Sequence, residues 1–153
     1  MAQYVVRRIN AEKTPELERA VKAKEQITSS MIDLIKSLFW HDFETLVDLV
    51  FSTSGWRRQG DVGKTQKTLD IDLILPSTGE RAMVQIKSKT TSNELAEYVG
   101  KTKELGSYNR MFYVYHSGEA ETDADRVTVI GPEMLAEMVL DAGLVNWIIR
   151  KTS

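Results

Sequence analysis

The run Leu69-Asp70-Ile71-Asp72-Leu73-Ile74-Leu75-Pro76-Ser77-Thr78-Gly79-Glu80-Arg81-Ala82-Met83-Val84-Gln85-Ile86-Lys87 decides the fold. Two short apolar runs flank Pro76-Ser77-Thr78-Gly79, a turn composition, so the segment predicts a β-hairpin. The two-residue period of a strand puts Asp70 and Asp72 on one face and Ile71 and Leu73 on the other. In the second strand Gln85 and Lys87 share a face, and Val84 and Ile86 point the opposite way. Two neighbouring strands thereby offer carboxylate, amide and ammonium in one patch. A solvated hairpin alternates in the same way, so the pattern alone does not separate a site from a surface.

Metal-assisted phosphodiester hydrolysis needs such a patch. A carboxylate holds a hard cation through oxygen. The cation lowers the pKa of a bound water and neutralises charge developing on the phosphorus centre. A neighbouring lysine can orient that water or stabilise the same charge.

The surrounding sequence predicts helices and further strands. Upstream, Tyr4–Ile9 reads as a short strand. Thr14-Pro15-Glu16 reads as a helix start, with a hydroxyl cap, proline in the first turn and an acid at the positive dipole end. That helix is expected to reach about Ser29, where Ser29-Ser30 either breaks it or only marks a joint with a second helical stretch from Met31 to about Phe39. His41-Asp42 offers the next cap. Phe43, Leu46, Val47, Val50 and Phe51 then form one apolar helical stripe that ends at Gly55. Downstream, Asn93–Leu105 is expected to be helical, capped by Ser92 or Asn93. Met111–Tyr115 and Arg126–Ile130 read as strands, and Pro132–Ala142 as a helix stopped by Gly143. Leu144–Ile149 is a last apolar run, strand or helix. This order predicts an α/β fold with a mixed sheet flanked by helices.

Asp72 followed thirteen residues later by Gln85-Ile86-Lys87 resembles the PD-(D/E)xK motif of restriction-endonuclease-like nucleases. The glutamine variant resembles the Mrr-type branch. Phe43-Glu44-x-Leu46-Val47 is similar to that family's first helix, whose glutamate faces the site. Gly55-Trp56 stands where that helix turns into the first strand. Met111-Phe112-Tyr113-Val114 resembles the strand after the central helix, and Val129-Ile130-Gly131-Pro132-Glu133-Met134-Leu135 resembles the closing strand-glycine-helix. A lone acid-or-amide, any residue, lysine triplet is common. The ordered set, spanning about Ser37 to Trp147, carries the resemblance.

It implies an αβββαβ core and metal-dependent endonuclease activity on DNA with Mg²⁺ or Mn²⁺. It also implies the roles. Asp72 would be the principal ligand, Gln85 the second, and the backbone carbonyl of Ile86 a third. Lys87 would assist the attacking water, and Glu44 would complete the site from its helix. Gln85 is neutral where most of the superfamily has an acid, so it offers an oxygen but no charge. Asp70 shares the face of Asp72 and becomes the ligand if the strand register differs. Asp72 is preferred because Leu73-Ile74-Leu75 leads from it into the core. A fold of this kind with weakened metal binding would instead serve as a DNA-binding or interaction module.

Composition bounds these readings. The 153 residues suit one nuclease domain over 31–153, with 1–30 as an N-terminal strand and helix extension. Without cysteine, disulfides and thiolate-bound zinc are excluded. His41 and His116 are the two histidines and lie far apart in sequence, so a histidine-rich metal site is not expected. No apolar run approaches ~20 residues, and Met1–Arg8 lacks an apolar signal core, so a cytoplasmic location is expected.

The net charge is −2, from 20 basic and 22 acidic side chains. From Trp56 to Arg110 there are ten Lys and Arg against seven Asp and Glu, a local excess of three cations. Arg57, Arg58, Lys64, Lys67 and Lys89 are the candidate DNA-phosphate contacts. Lys101, Lys103 and Arg110 flank the central helix and read first as surface charge. Gly60-Asp61-Val62-Gly63-Lys64-Thr65 resembles the end of a phosphate-binding loop. It lacks the glycine required where Arg58 stands, and nucleotide hydrolysis is set aside. Trp40, Trp56 and Trp147 are read as core. A homodimer is expected, because two sites across a duplex allow double-strand cleavage, and a separate recognition domain or subunit fits the absence of any DNA-reading motif.

Overall fold

In the computed structural model the described residues are 14–59, 71–103 and 106–153. The elements are α1 (Pro15–Ser37), α2 (Trp40–Thr53), β1 (Arg57–Arg58), β2 (Ile71–Leu75), β3 (Glu80–Thr90), α3 (Ser92–Thr102), β4 (Arg110–Gly118), β5 (Val127–Ile130), α4 (Pro132–Asp141) and α5 (Val145–Thr152). Five strands form one sheet in the order β1-β2-β3-β4-β5. The β1–β2 and β2–β3 pairs are antiparallel, and the β3–β4 and β4–β5 pairs are parallel. This is the mixed α/β architecture that the sequence predicts.

The hairpin has a defined register: Ile71 faces Val84, Asp72 faces Met83, and Leu75 faces Glu80 at the turn. Residues directly opposite in an antiparallel pair share a face. Ile71, Leu73, Val84 and Ile86 therefore line one side of the sheet. There they meet Phe43, Leu46, Val47, Val50 and Phe51 of α2, all buried. Met31 and Ile35 of α1, Leu135, Ala136 and Val139 of α4, and Ile148 of α5 complete this core. The other side is covered by α3. Its Leu95, Tyr98 and Val99 pack with Met83, Tyr113, Tyr115 and Ala120. Among the described residues four helices thus cover one face, and one short helix covers part of the other.

Several boundaries differ from expectation. α1 is one helix through Ser29-Ser30, not two. Thr28 Oγ1 donates to the Lys24 carbonyl at 2.7 Å, so a polar residue there is satisfied inside the helix. α2 begins at Trp40 with Phe39 as its cap and no side-chain capping bond, ahead of His41-Asp42. α3 is capped by Thr91, whose Oγ1 accepts from Glu94 N at 3.3 Å. The last apolar run is helical, as α5. Trp56 and Trp147 pack against the main core, but Trp40 is 43% exposed. The expected Tyr4–Ile9 strand and the Gly60–Thr65 loop lie outside the described residues. Among the described residues no helix is long and apolar enough to cross a membrane.

One glycine is required by close approach. At Gly118, where φ is +88°, an added Cβ would sit 2.2 Å from the Thr90 carbonyl oxygen. Only glycine lets β4 end this close to the end of β3.

His116 is buried on the α2 side, its ring edge against Phe43 at 4.7 Å between centroids. Burial pushes its pKa below the ordinary value, the Lys36 charge adds to this, and a backbone hydrogen bond partly offsets it. The unfolded chain therefore takes up this proton first. The stabilisation is fully present above about pH 6.5 and is lost as pH falls toward the lower folded value. Urea midpoints measured between about pH 7.5 and 5 should fall less for His116→Phe than for the wild type. Identical slopes would contradict this account of His116.

Candidate active site

The strand period that seats Val84 and Ile86 in the core turns Arg81, Met83, Gln85 and Lys87 to the α3 side. Asp72, opposite Met83, joins them there. Arg81 and Gln85 are its two diagonal neighbours on β3, a distance that long side chains bridge. On the parallel side, Gln85 is level with Tyr113 and Lys87 with Tyr115.

Gln85 and Lys87 open into a cleft of about 280 Å³ between β3 and α3, lined also by Glu94, Glu97, Tyr98, Lys101 and Tyr113. Lys87 Nζ lies 4.0 Å from Glu94 Oε2, with the side chains 39% and 49% exposed. At that exposure the pair holds Lys87 only loosely. Glu94 Oε2 also accepts from Thr90 Oγ1 at 3.2 Å. The Thr90 hydroxyl is in turn hydrogen-bonded to the Tyr113 hydroxyl beneath the cleft. Burial, above all, raises the Tyr113 pKa; the Thr90 hydrogen bond opposes this and the Glu94 charge adds to it.

Asp72 is held from the turn side. Arg81 Nη2 contacts its Oδ2 at 3.2 Å, with the side chains 37% and 23% exposed. The Arg81 guanidinium lies 4.9 Å from the centroid of the Tyr108 ring. Burial foremost, then the charge of the Asp72 carboxylate and a hydrogen bond of the Tyr108 hydroxyl to Asp72, raise the Tyr108 pKa, against the opposing charge of Arg81.

Two oxygens on this face are left over. Asp72 Oδ1 and Gln85 Oε1 are buried and have no hydrogen-bond partner among the described residues. A buried acceptor without a donor is costly, roughly 1–3 kcal/mol, and calls for an explanation. A cation fits both: one anionic and one neutral hard oxygen from adjacent strands, beside an ammonium group. Mg²⁺ and Mn²⁺ accept such oxygen sets and keep several waters. Among the described residues no three His, Cys, Asp or Glu side chains cluster as a metal site. The set therefore depends on neutral oxygens as well as carboxylates.

The remaining candidates are placed as follows. Glu44 is half-buried on α2, which covers the opposite face of the sheet, and it is engaged in an interaction there. The Ile86 side chain is core, and its backbone lies between Gln85 and Lys87. Arg57 and Arg58 are exposed on the edge strand β1, on opposite faces. Arg57 is level with Ile74, on the side of Asp72. Arg58 is tied to Asp48 on α2 at 3.3 Å. Lys89 is exposed near the end of β3. Asp70, Lys64 and Lys67 lie outside the described residues. Arg81, Tyr108, Glu94 and Glu97 were not among the sequence candidates. Thr91-Ser92-Asn93-Glu94 does carry a capping-box spacing, the one signal that locates Glu94 in the first turn of α3.

The restriction endonuclease family Mrr_cat matches residues 35–137, about two thirds of the chain. The chain belongs to this family. Among solved structures it is similar to the MspJI restriction endonuclease in complex with a 27-mer oligonucleotide, at a TM-score of 0.51 and 15% identity. That match covers 85% of this chain and 35% of the other, so the likeness is one of fold and spans about a third of that enzyme. No curated protein matches the sequence. The Mrr-type resemblance read from Gln85-Ile86-Lys87 and the α/β restriction-endonuclease-like fold are thereby shown.

Tyr113→Phe should cost about 1 kcal/mol in urea denaturation, the net value of a neutral hydrogen bond, by removing one of the partners of the Thr90 hydroxyl and leaving it Glu94. A variant as stable as the wild type would show that this bond does not support the cleft floor.

Proposed function

We propose that this domain hydrolyses DNA phosphodiester bonds as a Mg²⁺- or Mn²⁺-dependent endonuclease, acting in the cytoplasm as part of an Mrr-like restriction or DNA-processing system. The observation that carries this reading is the pair of buried, unpartnered oxygens, Asp72 Oδ1 and Gln85 Oε1, on the face that bears Lys87. Asp72, Gln85 and the Ile86 carbonyl would hold the ion, with Glu44 and Asp70 as further carboxylates for it. When bound, the ion supplies a water of lowered pKa and neutralises charge on the phosphorus centre.

The chain's own side chains do the rest. Asp72 contributes the negative charge of the described donor set, and Gln85 adds an oxygen without adding repulsion for a phosphate. Lys87 stands at the cleft mouth, loosely paired with Glu94, so its ammonium can turn toward an attacking water or a phosphate oxygen. Arg57, on the Asp72 side of the edge strand, and Lys89 are suited to backbone phosphates. Arg58 must first leave Asp48 to do the same. Lys64 and Lys67 belong to the same proposed contact set. A homodimer, and a recognition domain or subunit elsewhere, would supply double-strand cleavage and target choice.

A second reading is a DNA-binding module that no longer cuts. The neutral Gln85 and the absence of a three-acid cluster among the described residues favour it.

Plasmid cleavage in Mn²⁺ separates the two. Asp72→Ala and Lys87→Ala should each abolish cleavage, a loss of 10²-fold or more for a charge-stabilising group, while retaining the wild-type melting temperature. Full cleavage by Asp72→Ala would move the ligand role to Asp70. Salt-dependent DNA binding by a wild type that cuts no DNA form would establish the second reading.

A further inference from the structure

Asp72 carries two oxygens with different fates. Oδ2 is taken by Arg81 at 3.2 Å, and Oδ1 is buried without a partner. An arginine facing a carboxylate ordinarily forms a two-pronged fork that satisfies both oxygens. Here a single prong is used. The Arg81 Nε, which would form part of such a fork, is itself buried and unpartnered.

The reason lies in how Arg81 is held. Its backbone N–H donates to Asn109 Oδ1 at 2.9 Å, and its carbonyl accepts from the Asn109 N–H at 2.9 Å. Its guanidinium rests on the ring of Tyr108, the residue immediately before Asn109. Two consecutive residues leading into β4 therefore fix both ends of Arg81. The guanidinium is docked by its ring platform, and Asp72 meets only its edge.

We propose that Arg81 is the positioning residue for the Asp72 carboxylate: it pins Oδ2 and so presents Oδ1, beside Gln85 Oε1, to a divalent cation. The inference rests on the metal-dependent reading above and adds a residue to it. Two effects of Arg81 on a bound cation oppose each other. Its positive charge repels the ion, and its hydrogen bond fixes the ligand's orientation. The guanidinium holds the oxygen that does not serve the ion, and the pair is partly exposed, so repulsion is screened. Unpinned, the carboxylate gains rotational freedom that it must lose again on binding. Positioning prevails. The site has a neutral glutamine as its neighbouring ligand, so it depends on Asp72 more heavily than a site with two acids.

The test is calorimetric titration of Mn²⁺ into DNA-free protein, with thermal melting in EDTA as a control for folding. Loss of a partner that orients a metal ligand typically weakens binding 10- to 100-fold. Arg81→Ala should therefore bind Mn²⁺ about tenfold or more weakly than the wild type. Arg81→Lys keeps a cation on a similar stem and should recover part of the loss. A purely structural ion pair would move the melting temperature and leave the affinity of the folded protein unchanged. Arg81→Ala binding Mn²⁺ as tightly as the wild type, with Asp72→Ala binding none, would overturn the positioning role and leave the metal reading standing. No binding by the wild type would overturn both. If Arg81→Ala does not fold, Tyr108→Leu removes the ring platform together with the Tyr108 hydroxyl, and Tyr108→Phe removes the hydroxyl alone. Because the Tyr108 hydroxyl also hydrogen-bonds Asp72, Tyr108→Phe is the control: Tyr108→Leu should weaken Mn²⁺ binding more than Tyr108→Phe, and equal affinities of the two would also overturn the proposal.

Discussion

The two-residue period of β3, hydrogen-bonded to a strand on each side, is the constraint on which the rest depends. Its register with β2 and with β4 is fixed over most of its length. A slip of one residue would send Val84 and Ile86 to the cleft and Gln85 and Lys87 into the core. The cost is set by the α2 stripe, Phe43 to Phe51, which accepts only the apolar face. Core packing on one side of the sheet therefore aims the polar row on the other. The site is precise because an apolar interface elsewhere is strict.

The two faces are covered unequally, and the asymmetry suits the proposed chemistry. The α2 side is sealed by helices from both ends of the chain. On the α3 side an eleven-residue helix covers Met83, Tyr113 and Tyr115 and leaves Gln85 and Lys87 at a cleft. On that side of the sheet the hydroxyls of Thr90 and Tyr113 satisfy one another, whereas Asp72 Oδ1 and Gln85 Oε1 have no hydrogen-bond partner among the described residues. Two bare acceptors on one face keep unspent binding capacity there.

Much of this was legible in the sequence because it follows from short-range rules. The hairpin turn, the alternation around Asp72 and Gln85, the α2 stripe and the Thr14-Pro15 helix start depend on neighbours within a few residues. What was not legible depends on partners far along the chain. Arg81 is nine residues from Asp72, but its fixed position needs Tyr108 and Asn109, which arrive only when β4 pairs with β3. The continuity of α1 was hidden because Ser29-Ser30 suggests a break by propensity. Met31 and Ile35 override that by packing under α4 and α5. Trp40 was misplaced because composition cannot tell which of three tryptophans faces outward. Arg57 and Arg58 looked equivalent until the sheet set them on opposite sides and gave Arg58 to Asp48.

The family places the fold, and the bare oxygens support the proposal that its chemistry sits at Asp72 and Gln85. The central claim is that Asp72 and Gln85 share one divalent cation. Anomalous diffraction from a crystal of the protein soaked in Mn²⁺ tests it most directly. The account predicts a peak within about 2.0–2.3 Å of both Asp72 Oδ1 and Gln85 Oε1, a range typical of Mg²⁺-like oxygen coordination. A peak bound only by Glu94 and Glu97, or no peak at saturating Mn²⁺, would contradict it.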